Sequence, residues 1–128
     1  MIDTAVQTAV YAALNTGALA GKVFDNWPQS DDTFPRVIIG DDTITEWDTK
    51  AVNGGNVVAR VHTFSRYLGK SETKELQGKI YDKLHRAELS ATGWRFVSCD
   101  FIQSFSDVDQ DGKTRHGVSE FRINIEQE

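Results

Sequence analysis

Apolar residues recur at helical spacing in the opening stretch "DTAVQTAVYAALN", where Val6, Ala9, Val10, Ala13 and Leu14 fall on one stripe. Asp3 stands where an N-cap belongs, and Asn15 with Gly17 supplies a stop. The rhythm then changes. Pro28 and Pro35 bracket a polar loop, and the β-branched run Val37, Ile38, Ile39 starts a strand extending through Ile44 to Trp47. Asn53-Gly54-Gly55 is the strongest local turn signal, the tip of a tight hairpin. The return strand sets Val57, Ala59 and Val61 against Val58, Arg60 and His62. Gly69 ends it, and Ser71 caps a second helix with Glu72 and Glu75 in its first turn. Leu76, Ile80, Leu84 and Ala87 form that helix's buried stripe.

Gly93 opens the last pair of strands. In the first, Val97, Cys99, Phe101 and Phe105 share one side; in the second, Ser119, Phe121, Ile123 and Ile125 oppose Glu120, Arg122, Asn124 and Glu126. Such two-residue alternation marks a sheet with one wet face. The pattern predicts a single α+β domain over residues 1–128. It is an antiparallel β-sheet with two α-helices packed on one face, in the order α-β-β-α-β-β.

A chain of 128 residues is long enough for a real core, and 39% apolar with 26% charged residues is a globular balance. No apolar run reaches the ~18 residues of a membrane span, so no membrane partner is expected. The opening residues lack the basic and apolar regions of a secretory signal, so export by that route is not expected. The net charge of −5 disfavours sequence-independent nucleic-acid binding, which needs a basic footprint. The single cysteine, Cys99, reads as a packed thiol.

The segment "DVDQDGKTRHG" raises the question of chemistry. Asp107, Asp109, Asp111 and Gly112 match the opening of an EF-hand calcium loop. Position twelve of that loop, where a bidentate carboxylate is required, is Val118, and the flanks read as strands. The segment is therefore a hairpin turn built from Asx-turn residues. His62, His85 and His116 are scattered without metal-ligand spacing, and no G-x-S-x-G elbow or phosphate loop appears. The acidic pairs Asp31-Asp32 and Asp41-Asp42 read as solvated charges, since adjacent strand residues point to opposite faces. Trp27 and Trp47 stand in segments expected to be exposed. They suit either an anchor for protein contacts or a lid on the end of the core.

With these elements in order, the chain resembles the tail-completion proteins (tail terminators, or tail-to-head joining proteins) of long-tailed bacteriophages and gene transfer agents. The likeness is carried by "DTAVQTAVYAALN", "KVFDNWPQSDDTFPRVIIGDD", "VHTFSRYLGKSETKELQGKIYDKLH" and "DVDQDGKTRHGVSEFRINIE", which together span nearly the whole chain. The resemblance implies an α+β fold, no enzymatic activity and no cofactor. It implies a ring, usually a hexamer of self-associated copies, that binds the end of the tail tube, halts its growth and offers a surface to the head connector. The major tail-tube protein and the head-tail connector are the implied partners. DNA would pass through the lumen without specific binding. The implied location is the tail or neck of a virion, reached from the host cytoplasm during assembly. A head-closure ring of the same neck is the alternative within that assembly, and a small enzyme with a spatial His-Asp-Ser site is the alternative outside it.

Three exposed regions are the expected partner-binding sites: Trp27 and Asp31 in the polar loop, Trp47 with Asn53 and Gly54 around the first hairpin, and Asp107, Asp109, Asp111 and His116 in the last turn. The last of these would face the lumen, where carboxylates repel DNA phosphates.

Overall fold

The computed structural model describes residues 2–24, 34–40, 42–48, 53–66, 69–108, 110 and 112–128, apart from the side chains of residues 3 and 46–48. Helix α1 spans Ile2–Leu14 and α2 spans Ser71–Leu84. Among the described residues seven strands accompany them: β1 (Val23–Phe24), β2 (Arg36–Ile39), β3 (Thr43–Asp48), β4 (Asn53–Ser65), β5 (Ser90–Ala91), β6 (Trp94–Val108) and β7 (Arg115–Gln127). They form one sheet in the order β1-β2-β4-β7-β6-β5, with β3 also paired to β4.

The expected antiparallel sheet and the α-β-β-α-β-β order need correction. The sheet is mixed, because β1 runs parallel to β2. The strand expected from Val37 to Trp47 is two strands separated at Gly40, each pairing with a different part of β4. A β-branched run says that a segment is extended but not where it breaks. The break is tertiary: a side chain at Gly40 would collide with the His62 imidazole, so the backbone passes directly against that ring.

Both helices cover the same face of the sheet, as the alternation predicted. Val6, Val10 and Leu14 of α1 join Leu76, Ile80 and Leu84 of α2. Val57, Ala59 and Val61 of β4 and Phe121, Ile123 and Ile125 of β7 complete that core. Each fully buried large side chain contributes roughly 1.5–3 kcal/mol of transfer free energy. Helix α1 ends where Asn15 and Gly17 predicted: Gly17 takes a positive φ of 57°, and Asn15 Oδ1 accepts the Gly21 amide at 2.9 Å. Its start differs, since Ile2 is already helical and Asp3 lies inside the first turn. Ser71 is likewise the first helical residue of α2 rather than its cap, and no side chain caps that end.

The Asn53-Gly54-Gly55 turn is also corrected. All three residues are strand positions in β4, paired with Asp48, Trp47 and Glu46. Gly54 and Gly55 also pair with Glu126 and Ile125 of β7 on the other side. The connection between β3 and β4 lies in residues 49–52, outside the described residues. Glycine inside a strand and glycine in a turn look identical in the sequence.

Strand β6 departs most from expectation. Its register against β7 slips between Phe96 and Ser98 and again between Phe101 and Gln103, so Val97 and Ile102 are bulged residues. Each bulge reverses the in-out sequence beyond it. Cys99 and Phe101 therefore face the helices as expected, whereas Phe96 and Ser104 take the positions assigned to Val97 and Phe105. Val97 and Phe105 are left 55% and 53% exposed.

Candidate interaction surface

The residues singled out in the sequence fall at two ends of the sheet. Trp47 is a β3 position opposite Gly54, and Asn53 is the exposed first residue of β4. Asn53 Nδ2 donates to Gln127 Oε1 at 3.4 Å. Gly54 is buried within the sheet. Asp107 and His116 pair with one another near the far ends of β6 and β7, and His116 also pairs with Phe64. From Gly54 to Phe64 is ten residues of strand, on the order of 30 Å, so these two groups cannot meet at one ligand. Trp27, Asp31, Asp109 and Asp111 lie outside the described residues.

What is described of the last turn behaves as a turn. Gly112 takes a φ of 70°, the left-handed conformation expected of a glycine there. The Val108 amide donates to Asp107 Oδ1 at 2.7 Å, a contact with the very next residue rather than the i to i+2 bond of an Asx-turn.

The histidines are less scattered than the sequence implied. His62 Nδ1 and His116 Nε2 lie 2.7 Å apart, one donating and the other accepting. The His116 ring also stacks on Phe64, with centroids 4.5 Å apart. Alternation of His62 and Phe64 on β4 was visible, but placing Phe64 directly opposite His116 on β7, with His62 on the diagonal, depends on register. His85 stands apart, accepting the Phe101 amide at Nδ1 over 3.1 Å and stacking on Tyr81.

On the face away from the helices, one polar row crosses the sheet. Arg60 Nη1 donates to Thr43 Oγ1 at 3.0 Å, Arg60 Nε to Glu120 Oε2 at 3.1 Å, and Gln103 Nε2 to Glu120 Oε1 at 2.5 Å. The row thereby joins β3, β4, β7 and β6. At the start of β2, the guanidinium groups of Arg36 and Arg66 lie 4.1 and 4.2 Å from the Phe34 ring centroid. Phe34 thus meets two cations, a contact worth roughly 0.5–2 kcal/mol each.

The surface that the sequence did not reveal is the outer part of β6. From Ile102 to Val108 every residue is exposed, and Ile102, Phe105 and Val108 are three apolar side chains among them. Beside this stretch runs a groove of about 430 Å³, floored by Phe101, Ser104, Phe105 and Ser106 of β6 and walled by Lys74, Gln77, Gly78 and Tyr81 of α2. Its polar groups are the Lys74 ammonium, the Gln77 amide, the Tyr81 phenol and the hydroxyls of Ser104 and Ser106, with no histidine or carboxylate among the described lining residues. Cys99, further along β6, is buried, and burial first and the Asp100 carboxylate second push its thiol up to about 12. Such a thiol is inert at neutral pH. The arrangement suits docking of another polypeptide.

Comparison with known proteins bears on what docks. The family described as "Tail completion protein gp17" matches residues 4–126. The tail completion protein gp17 of Bacillus phage SPP1 is 29% identical over 98 residues, covering 77% of this chain and 72% of that protein. A chain in the virion of a native gene transfer agent particle superposes with a TM-score of 0.90 at 21% identity, covering 98% of this chain and 97% of that one.

Proposed function

The chain belongs to the family of tail completion protein gp17, and from that premise we propose that it works as a ring that caps the phage tail tube and joins the tail to the head connector. The family is structural, one of tail completion proteins rather than enzymes. The observation that carries the reading is the family match over nearly the whole chain, together with an exposed sheet edge suited to polypeptide docking. The particle context of the gene transfer agent chain with the same fold supports a place in the virion.

The physics of such a cap is specific. A tube grows because each ring exposes a surface complementary to the next. A terminator reproduces one side of that contact and lacks the other, so addition stops. Several copies held in a ring bind together, so modest contacts per copy sum to tight capping. We assign the Trp47–Asn53 end and the Asp107–His116 end to partner contacts, the neighbouring copy in the ring among them, with the loop carrying Trp27 and Asp31 as a third contact. The net charge of −5 suits a ring that DNA traverses without sticking.

Deletion of the gene tests the reading. Electron microscopy of the lysate is expected to show tails of uncontrolled length that fail to join heads, and added purified protein restores joining. Normal-length, joined tails without the gene would refute it. Purified protein that binds connector complexes but never tube ends would move it to the head-closure ring instead.

A further inference from the structure

We propose that the outer stretch of β6, Gln103–Val108, seats strand β3 (Thr43–Asp48) of a second copy of this chain, so that the sheet continues from one subunit into the next. The proposal deepens the ring reading above and rests on it.

Among the described residues, each edge of the sheet has a stretch with no further strand beside it, and the two stretches match. On one side, β5 covers only Trp94 and Arg95 of β6. Past that point, Arg86 N–H donates to the Cys99 carbonyl at 2.7 Å and Phe101 N–H to His85 Nδ1, so the chain following α2 closes the middle of the edge. Beyond Phe101, Gln77 Nε2 donates to the Phe105 carbonyl at 3.0 Å. Phe101 turns its N–H away from β7, and the register slip at Ile102 reverses the alternation, so beyond it the outward backbone groups fall to Ser104, Ser106 and Val108. On the opposite side, β3 pairs with β4 and with no further strand among the described residues.

Strand direction makes the two edges complementary. β3 is antiparallel to β4, β4 to β7, and β7 to β6, so β3 and β6 run in opposite directions at opposite edges. A second copy in the same orientation therefore presents its β3 antiparallel to β6 without being turned over. That is a head-to-tail contact, the kind that repeats and closes into a ring. The lengths agree: β3 has six residues, as does the stretch from Gln103 to Val108. The polar row through Thr43, Arg60, Glu120 and Gln103 ties the two edges together inside one subunit.

The groove beside β6 fits this occupant. Phe101 and Tyr81 offer apolar surface beside the Ser104 and Ser106 hydroxyls, and Lys74 on the wall is a cation for a strand that carries Glu46 and Asp48 in its sequence. Gly78 sits mid-helix on the same wall, where an added Cβ would meet nothing within 4 Å in the isolated chain. The monomer does not require glycine there for packing, whereas a neighbouring backbone approaching α2 does. Added strands of this kind gain affinity from main-chain hydrogen bonds and specificity from such side-chain pockets.

The test uses the full chain, followed by native mass spectrometry alone and on purified tail tubes. Gly78→Gln places a longer side chain in open space and a better helix former in α2, so the monomer keeps or raises its melting temperature. Phe105→Lys puts a charge on the edge. Each is expected to weaken self-association at least tenfold. The pair Thr45→Cys and Asp107→Cys is expected to give oxidised, subunit-linked ladders ending in closed rings. Rings that form with wild-type affinity in both single variants, without linked ladders, would overturn the seat and leave the ring reading intact. Variants that lose tube binding but keep the ring would reassign the groove to the tube protein. A wild-type chain that stays monomeric even on tubes would overturn both readings.

Discussion

Gly117 offers the sharpest test of the packing between α2 and the sheet. It lies in β7 between Thr63 of β4 and Ser106 of β6, beneath the first turns of α2. A Cβ added there would collide with Thr63 Oγ1, come within 2.7 Å of Gln77 Nε2 and sit 3.1 Å from Thr73 Cγ2. Thr63 and Thr73 are fully buried and cannot swing away, and moving Gln77 breaks its bond to the Phe105 carbonyl. Overpacking of this kind costs about 1–3 kcal/mol. For a chain of this length each kcal/mol lowers Tm by about 4 °C, so Gly117→Ala is expected to melt about 4–12 °C lower in a calorimetric scan. Thr63→Ala removes the atom met first, a hydroxyl with no hydrogen-bond partner among the described residues. The double variant should therefore lose less than the sum of the singles by at least about 0.5 kcal/mol. A Gly117→Ala protein within about 0.5 kcal/mol of wild type, or strict additivity in the double, would refute the close approach of β7 to α2.

Two further predictions concern β6 and the core. Cys99, its thiol held at about 12 against an ordinary 9.0, keeps only on the order of 10⁻⁴ of its population as thiolate at pH 8. Iodoacetamide should label the native chain about a thousandfold more slowly than the urea-unfolded one, and comparable rates would show the thiol to be solvated. Because the folded value is the raised one, the contribution is present below pH 9 and is lost as pH climbs from 9 towards 12, so urea midpoints should fall across that window. Phe121→Ala, at a fully buried side chain touching Phe101 edge-on, should cost about 3–5 kcal/mol, whereas Phe105→Ala should cost under about 0.5 kcal/mol of monomer stability. Equal losses from the two, measured by urea unfolding, would mean that the register of β6 is wrong.

Much of the architecture follows from short-range patterns that the chain carries openly. Each stripe of α1 and α2 and each alternation of β4 and β7 depends only on which residues of one element are apolar, so the helix-bearing face of the sheet was legible in advance. The likeness to tail completion proteins was legible too, because it lives in stretches spread over nearly the whole chain. What tertiary structure decided is everything that depends on a neighbour. Bulges at Val97 and Ile102 exist only relative to β7, and they move Phe105 from the expected core to the surface. Gly54 reads as a turn residue until β3 and β7 are seen on either side of it. His62 meets His116 because of register, which composition cannot encode. The open edge of β6 has the same cause: whether a strand is interior or exposed depends on how many partners its backbone finds, and a sequence of side chains does not count them.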